Sequence, residues 1–269
     1  MAETEKLNQQ IQIILQEIQR LKALASGLQS TQEIAAESYL AIDFFNNSAI
    51  LEKNINQMYP IASVTKLMTA VIALENIDTS KTITLTKEML EPWGYSPALF
   101  SGLNISAKNL LQASLIQSVN DASESLGYFL GKEKFLELMN KKAKELNMVN
   151  TLYFDTTGLN AANLSTASDL KKLLLYIYKS HPEILTITKN NDFWLPDKAG
   201  RLSKFKNIND FYSFPEFIGG KTGYLPEAKE TFASLFDINK KPVAIILLFS
   251  PNRQSDIFKI LDQLKAKNF

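Results

Sequence analysis

A chain of 269 residues, 45% hydrophobic and 21% charged, is long enough to bury a large core in one domain or in two subdomains sharing a site. Its 29 basic and 28 acidic residues leave a formal charge of +1, so no overall field draws it to nucleic acid or anionic lipid. With no cysteine and one histidine, His181, the chain cannot build disulfides, thiolate nucleophiles, zinc–thiolate sites or multi-histidine metal sites, and a Ser-His-Asp triad would have to use that single residue.

The start, MAETEKLNQQ, is polar, and no run of eighteen or more apolar residues occurs, so the chain as given carries neither a signal peptide nor a membrane span. That leaves a cytoplasmic protein or one whose targeting segment lies outside this chain. Leu7, Ile11, Ile14, Ile18, Leu21, Ala25 and Leu28 then step alternately by four and three, which makes a short heptad seam. Residues 1–30 are read as a separate amphipathic helix, either a stalk that self-associates through residues 7–28 or a helix packed on its own domain; Gly27 and SGLQSTQ end it.

From residue 37 the alternation in ESYLAIDFFNNSAILEKN predicts two strands around a turn at Asn46-Asn47. Apolar spacing of three and four predicts helices over 64–76, 107–117, 122–130, 133–146 and 167–179, with Ser106 and Thr166 as N-caps. Thr166-Ala167-Ser168-Asp169 resembles a capping box with Asp in place of Glu, and its role is structural. His181, before a proline at a helix end, reads as a solvated residue favoured by the helix dipole. Residues 190–214 read as loop. EFIGGKTGY, ETFASLFDI and PVAIILLFS read as strands, the last two joined by Asn239-Lys240-Lys241, and a helix over 254–267 closes the chain. Strands at both ends and helices between them predict an α/β (α+β) fold: one antiparallel sheet built from both termini, flanked by helices, with an inserted all-α lobe.

Within PIASVTKLMTA, Ser63 and Lys66 stand three apart, so on a helix they share one face, with the serine at the N-terminus where backbone N–H groups favour developing negative charge. Lysine is a poor base near its ordinary pKa of about 10.4, but desolvation or a neighbouring cation frees its amine. Alone, the pair is better explained as an ordinary helix turn, since Ser and Lys are common enough for chance to supply it. Ser118-Val119-Asn120 at a helix end and Lys221-Thr222-Gly223 on a strand change that reading. S-x-x-K, S-x-N and K-T-G in this order form the signature of penicillin-binding proteins and class A β-lactamases.

Over most of residues 37–269 the chain resembles the low-molecular-mass D-alanyl-D-alanine carboxypeptidase family of penicillin-binding proteins, in PIASVTKLMTA, LLQASLIQSVNDAS, FLELMNKKAKELNMVNTLYFDTTGL, STASDL and GGKTGY. The resemblance implies a β-lactamase/transpeptidase-like fold over residues 31–269 and an enzyme, without cofactor or metal, acting in the periplasm or at the cell surface. Such an enzyme removes the terminal D-alanine from peptidoglycan stem peptides through an acyl-serine and is acylated by β-lactams. By position, Ser63 would be the nucleophile and Lys66 its base, Ser118 a proton relay to the leaving amine, and Asn120 a partner of the substrate amide or of Lys66. Lys221 would lower the pKa of Lys66 and attract the substrate carboxylate, Thr222 would bond that carboxylate, Gly223 would let substrate backbone lie along the strand, and the N–H groups of Ser63 and Tyr224 would form the oxyanion hole. Arg253 would stand near the carboxylate pocket.

Two positions depart from the pattern, Val119 and Leu225, and both are expected to border the substrate groove. The chain also stops at Phe269 without the β-rich domain and membrane anchor of many members, which makes residues 7–28 the expected stalk of a tether outside this chain. The same motifs serve endopeptidases on cross-linked stems. A class A β-lactamase would need a deacylating carboxylate well after Asn120. Glu137 in ELMN comes too early and within a periodic helix. A non-catalytic scaffold is the remaining alternative, and retention of all six polar motif residues speaks against it.

Overall fold

The computed structural model describes residues 17–18, 33–90, 96 and 98–267. The heptad stretch therefore lies outside the described residues apart from Glu17 and Ile18, which are helical.

Strands β1 (Ser38–Asp43) and β2 (Ala49–Lys53) form the expected hairpin. The Asp43 carboxylate accepts from the backbone N–H groups of Phe45 and Asn46 at 3.0 and 3.1 Å, and Asn47 takes the left-handed conformation (φ 53°) that this turn demands. After the short β3 (Tyr59–Pro60) come a 3-10 turn (Ala62–Thr65) and α1 (Lys66–Asn76). β4 (Thr82–Thr84), β5 (Asn104–Ser106), α2 (Ala107–Ile116), α3 (Asn120–Leu130), α4 (Lys132–Glu145), β6 (Leu164–Ser165), α5 (Ala167–Ser180) and α6 (Pro182–Lys189) complete the first two-thirds of the chain. Then follow β7 (Asp192–Pro196), β8 (Leu202–Lys206), β9 (Phe217–Leu225), β10 (Lys229–Ile238), β11 (Lys241–Ser250) and α7 (Arg253–Ala266).

Among the described residues the main sheet has the antiparallel order β2-β1-β11-β10-β9, so the N-terminal hairpin is zipped onto the last strand, as both-termini pairing predicts. Side chains alternate across it. Leu40, Ile42, Ala244, Ile246 and Leu248 face the helices α1 to α6, whereas Ala41, Val243, Ile245 and Leu247 face α7 through Ile257, Ile260 and Leu264. α1 is the buried axis of the molecule: Leu67, Met68, Ala70, Val71, Ile72 and Ala73 are at most 1% exposed, so the helix is covered on all sides.

Four readings need correction. The inserted lobe is not purely helical, because β3–β6, β4–β5 and β7–β8 each form a small antiparallel pair within it. The stretch read as loop contains the β7–β8 hairpin, in which Phe193 stacks on Phe205 at 4.6 Å and Trp194 lies under the Lys204 ammonium. α6 was overlooked although Pro182 at its first position and Glu183 in its first turn are helix-start signals. His181 is not solvated: its side chain is 14% exposed, with Nε2 3.2 Å from a Glu75 oxygen, in a polar cluster completed by Lys142 and Tyr176. Ser106 and Thr166 do cap α2 and α5, accepting from the N–H groups of Asn109 and Asp169. The Asp169 carboxylate accepts from the Asn150 N–H and the Thr151 hydroxyl, a structural role as expected.

Candidate active site

Ser63 lies in the 3-10 turn just before α1, not in the α-helix itself. In a 3-10 turn residues i and i+3 eclipse, which places the Lys66 side chain directly over Ser63. The turn is tightly held. Ile61 N–H donates to the Asn163 carbonyl at 3.0 Å, the Thr231 hydroxyl donates to the Ile61 carbonyl at 2.9 Å, and Ala62 adopts φ 48°, a left-handed conformation unusual for a residue with a Cβ.

Lys66 is 0% exposed, and its Nζ has three oxygen neighbours: Ser63 Oγ at 2.9 Å, Asn120 Oδ1 at 2.8 Å and the Thr157 carbonyl at 2.6 Å. Burial pulls its pKa down to about 7, against an opposing pull from the Asp155 carboxylate. A neutral amine has two N–H bonds and one lone pair. Asn120 Oδ1 and the Thr157 carbonyl can only accept, so they take the two N–H bonds and leave the lone pair for the Ser63 hydroxyl. That is the arrangement of a general base with its nucleophile.

The opposite wall is the loop between α2 and α3, where Ser118 takes φ 61° and Asn120 opens α3. Ser118 is half-buried two residues before Asn120. Val119 does not border a groove, because it is 7% exposed and its side chain packs in the main hydrophobic cluster. Leu225 is half-buried at the end of β9, paired with Lys229.

β9 brings the third motif. Lys221 is 2% exposed, and its Nζ donates to the Thr222 carbonyl at 3.0 Å. Its pKa is held well below the ordinary lysine value, chiefly by burial and then by the positive charges of Lys66 and Arg253. Burial is thus the main cause at both lysines, and their like charges disfavour protonation of both at once. Thr222 is buried and Tyr224 is 66% exposed. Gly223 lies against the Ser63 turn: a Cβ there would be 2.8 Å from the Ser63 nitrogen and 3.0 Å from the Ala62 Cβ. Arg253, the first residue of α7, is held behind this strand, with Nη2 2.8 Å and Nε 3.2 Å from Asp210 Oδ2 and Nη1 donating to the Gly223 carbonyl at 3.3 Å.

The structure thus gathers Ser63, Lys66 and Asn120 into one hydrogen-bonded group, with Lys221 and Gly223 against it and Arg253 one layer back. Sequence reasoning missed the Thr157 carbonyl and Asp155. The turn signal in FDTTGL was available, but a backbone acceptor carries no side-chain signature. Among the described residues no group of three or more His, Asp or Glu residues could hold a metal ion.

Residues 25–251 match the family described as D-alanyl-D-alanine carboxypeptidase. The D-alanyl-D-alanine endopeptidase of Pseudomonas aeruginosa is 32% identical over 238 residues, 83% of this chain and 74% of that protein. The D-alanyl-D-alanine carboxypeptidase DacF of Bacillus subtilis is 32% identical over 254 residues, 86% of this chain and 63% of that one. A penicillin-binding protein of Listeria monocytogenes, solved with cefotaxime bound, superposes with a TM-score of 0.76 at 29% identity, covering 87% of this chain and 99% of the other. The fold, the three motifs and a match that runs through all of them lead to one assignment: the chain belongs to the D-alanyl-D-alanine carboxypeptidase family.

Proposed function

We propose that this protein is a serine-type D-Ala-D-Ala carboxypeptidase that removes the terminal D-alanine of peptidoglycan stem peptides through an acyl-Ser63 intermediate. The observation that carries the proposal is the Lys66 amine, buried, with its pKa near 7 and two acceptors besides Ser63 Oγ.

In this reading Ser63 Oγ attacks the carbonyl of the penultimate D-alanine while its proton passes to neutral Lys66. The oxyanion is stabilised by the N–H groups of Ser63 and Tyr224. The peptide C–N bond then breaks as the leaving D-alanine nitrogen takes a proton by way of Ser118, leaving an ester on Ser63. Water, deprotonated by Lys66, hydrolyses that ester and restores the serine. The substrate carboxylate, arriving beside Lys221, favours the protonated form that burial alone disfavours, so that Lys221 and Arg253 attract it, Thr222 bonds it, and Asn120 orients Lys66. β-Lactams would enter by the same attack, opening the ring and remaining esterified.

A second reading, endopeptidase action on cross-linked stems, is favoured by the name of the Pseudomonas relative. It uses the same acyl-enzyme and differs in what fills the leaving-group side. Either substrate lies outside the cytoplasmic membrane, so the reading includes an extracytoplasmic location. It also includes a catalytic domain over residues 31–269, and residues 7–28 as a stalk or self-association segment for a tether outside this chain. Among the described residues no helix is long and apolar enough to cross a membrane.

The test is intact-mass analysis after incubation with a fluorescent penicillin, followed by digestion of purified muropeptides. An adduct equal to the whole penicillin, absent in Ser63→Ala, supports the acyl-serine, and no adduct on the parent protein rejects it. Free D-alanine among the muropeptide products identifies a carboxypeptidase, whereas monomers released from dimers identify an endopeptidase.

A further inference from the structure

None of the three motifs contains the residues that aim Lys66. We propose that Asp155 is a positioning residue for the reaction: its carboxylate folds the Thr156–Gly158 backbone into an acceptor shelf that holds the Lys66 amine in line with Ser63 Oγ. This rests on reading Lys66 as the base of Ser63.

One carboxylate organises the whole shelf. Asp155 Oδ1 accepts from the N–H groups of Thr157 at 2.9 Å and Gly158 at 2.5 Å and from Asn163 Nδ2 at 3.1 Å, and Oδ2 accepts from the Asn160 N–H at 2.6 Å. With its N–H groups directed inward to Asp155, the shelf turns its carbonyls outward to α1. The Thr157 carbonyl accepts from Lys66 Nζ at 2.6 Å, and the Thr156 carbonyl accepts from the Thr69 hydroxyl at 2.7 Å. Lys66 and Thr69 are one turn apart, so the shelf is docked along a single face of α1.

Other contacts make the shelf rigid. Asn163 Nδ2 donates to the Thr65 hydroxyl at 3.1 Å, tying the loop to the 3-10 turn of Ser63. The Thr156 hydroxyl donates to Glu124 Oε2 at 2.8 Å, and Glu124, which is 5% exposed, is paired with Lys132 at 2.5 Å. Gly158, at φ 84°, sits so close to the serine turn that a Cβ would be 1.9 Å from the Ala62 carbonyl oxygen. The shelf therefore touches the nucleophile's turn and the base's side chain at once, which a buried loop with a merely space-filling role would not need to do.

Asp155 also adds charge. The groups facing Lys66 are Asn120 from α3, Lys221 from β9 and Asp155 from the shelf, with the Glu124–Lys132 pair behind Thr156 and the Arg253–Asp210 pair behind Gly223. Asp155 is the negative group among them that raises the proton affinity of Lys66, opposing burial. Removing that charge extends the neutral amine to lower pH.

The experiment is the second-order rate of acylation by a fluorescent penicillin from pH 5 to 9, on the full chain, for the parent protein, Asp155→Asn and Thr69→Val, with melting temperatures alongside. Asp155→Asn is expected to lower the high-pH plateau about tenfold or more, through misplacement of the base, and to move the acidic limb to lower pH. Thr69→Val is expected to lower the plateau with the limb in place, since it loosens the shelf without changing charge. An Asp155→Asn protein whose limb is unmoved overturns the proposal, whatever its melting temperature. If that variant fails to fold, a parent-like plateau in Thr69→Val overturns it. A parent protein that forms no adduct overturns the acyl-serine reading itself, and this proposal with it.

Discussion

The Cβ that Gly223 lacks would stand 2.8 Å from the backbone nitrogen of Ser63, so β9 and the turn carrying the serine meet with no room for a side chain between them. The same atom would be 2.4 Å from the Thr231 hydroxyl, which bonds the Ile61 carbonyl two residues before the serine. Open space for substrate along the strand is therefore only part of the reason for a glycine here. Its absence of side chain also sets the distance between the K-T-G strand and the nucleophile.

Gly223→Ala should consequently damage the site more than the fold. A methyl group against the Ser63 N–H displaces a backbone donor expected to face the developing oxyanion, and loss of one such donor costs about 10²–10³ in rate. Acylation by a fluorescent penicillin should fall by that factor, with a melting temperature lowered by only a few degrees. Acylation within threefold of the parent would show that β9 can retreat without cost.

The lowered pKa of Lys66 fixes the acidic limb of acylation. The amine is active when neutral, so the rate should rise about tenfold per pH unit below pH 7 and level off above it. A limb centred near pH 10 would mean an unperturbed lysine and would remove Lys66 as the base. Lys66→Arg puts a permanent cation where the neutral amine stands and cannot deprotonate in this range, so it should abolish acylation at every pH tested, including above pH 8, with folding checked by circular dichroism.

Most of the framework was legible in the sequence, and the reasons differ by element. The β1–β2 hairpin was readable from its strand-forming residues on either side of an Asn-Asn turn, and β9 to β11 from runs of nine or ten residues, apolar enough to be buried on both faces and bounded by turn residues. Ser63, Lys66, Asn120 and Lys221 were readable because three motifs in order restrict the chemistry far more than any one of them. His181 was misread because its partner Glu75 is 106 residues away, and only tertiary structure brings α1, α4 and α5 together around it. The side chain of Val119 was assigned to the groove on resemblance alone, whereas the left-handed turn at Ser118 sends it into the core. The shelf was invisible for a simpler reason: its contact with Lys66 is a carbonyl, which every residue has.

Val119→Ala tests the buried placement. Shortening a side chain that is 7% exposed should cost about 1–2 kcal/mol of stability by chemical denaturation, from lost burial and the cavity left behind. The acylation rate and the yield of free D-alanine should stay within about threefold of the parent. A large change in either at unchanged stability would return Val119 to the groove wall.

Asp121, next to Asn120 on α3, is 4% exposed, and its Oδ1 has no hydrogen-bond partner among the described residues. Burial raises its pKa from 3.8 to about 6. The native state thus binds a proton between these two values that the unfolded chain has already released, so stability from this group is greatest at low pH and declines as pH rises from 3.8 through 6. Above that window the carboxylate must be buried ionised, at a cost on the order of 3 kcal/mol. Asp121→Asn keeps the shape and removes the titration. Relative to the parent it should gain several degrees in melting temperature at pH 8, and the gain should shrink steadily toward pH 4. A variant less stable than the parent at pH 8 would mean that the ionised carboxylate is held by a favourable partner, and the predicted sign would be wrong.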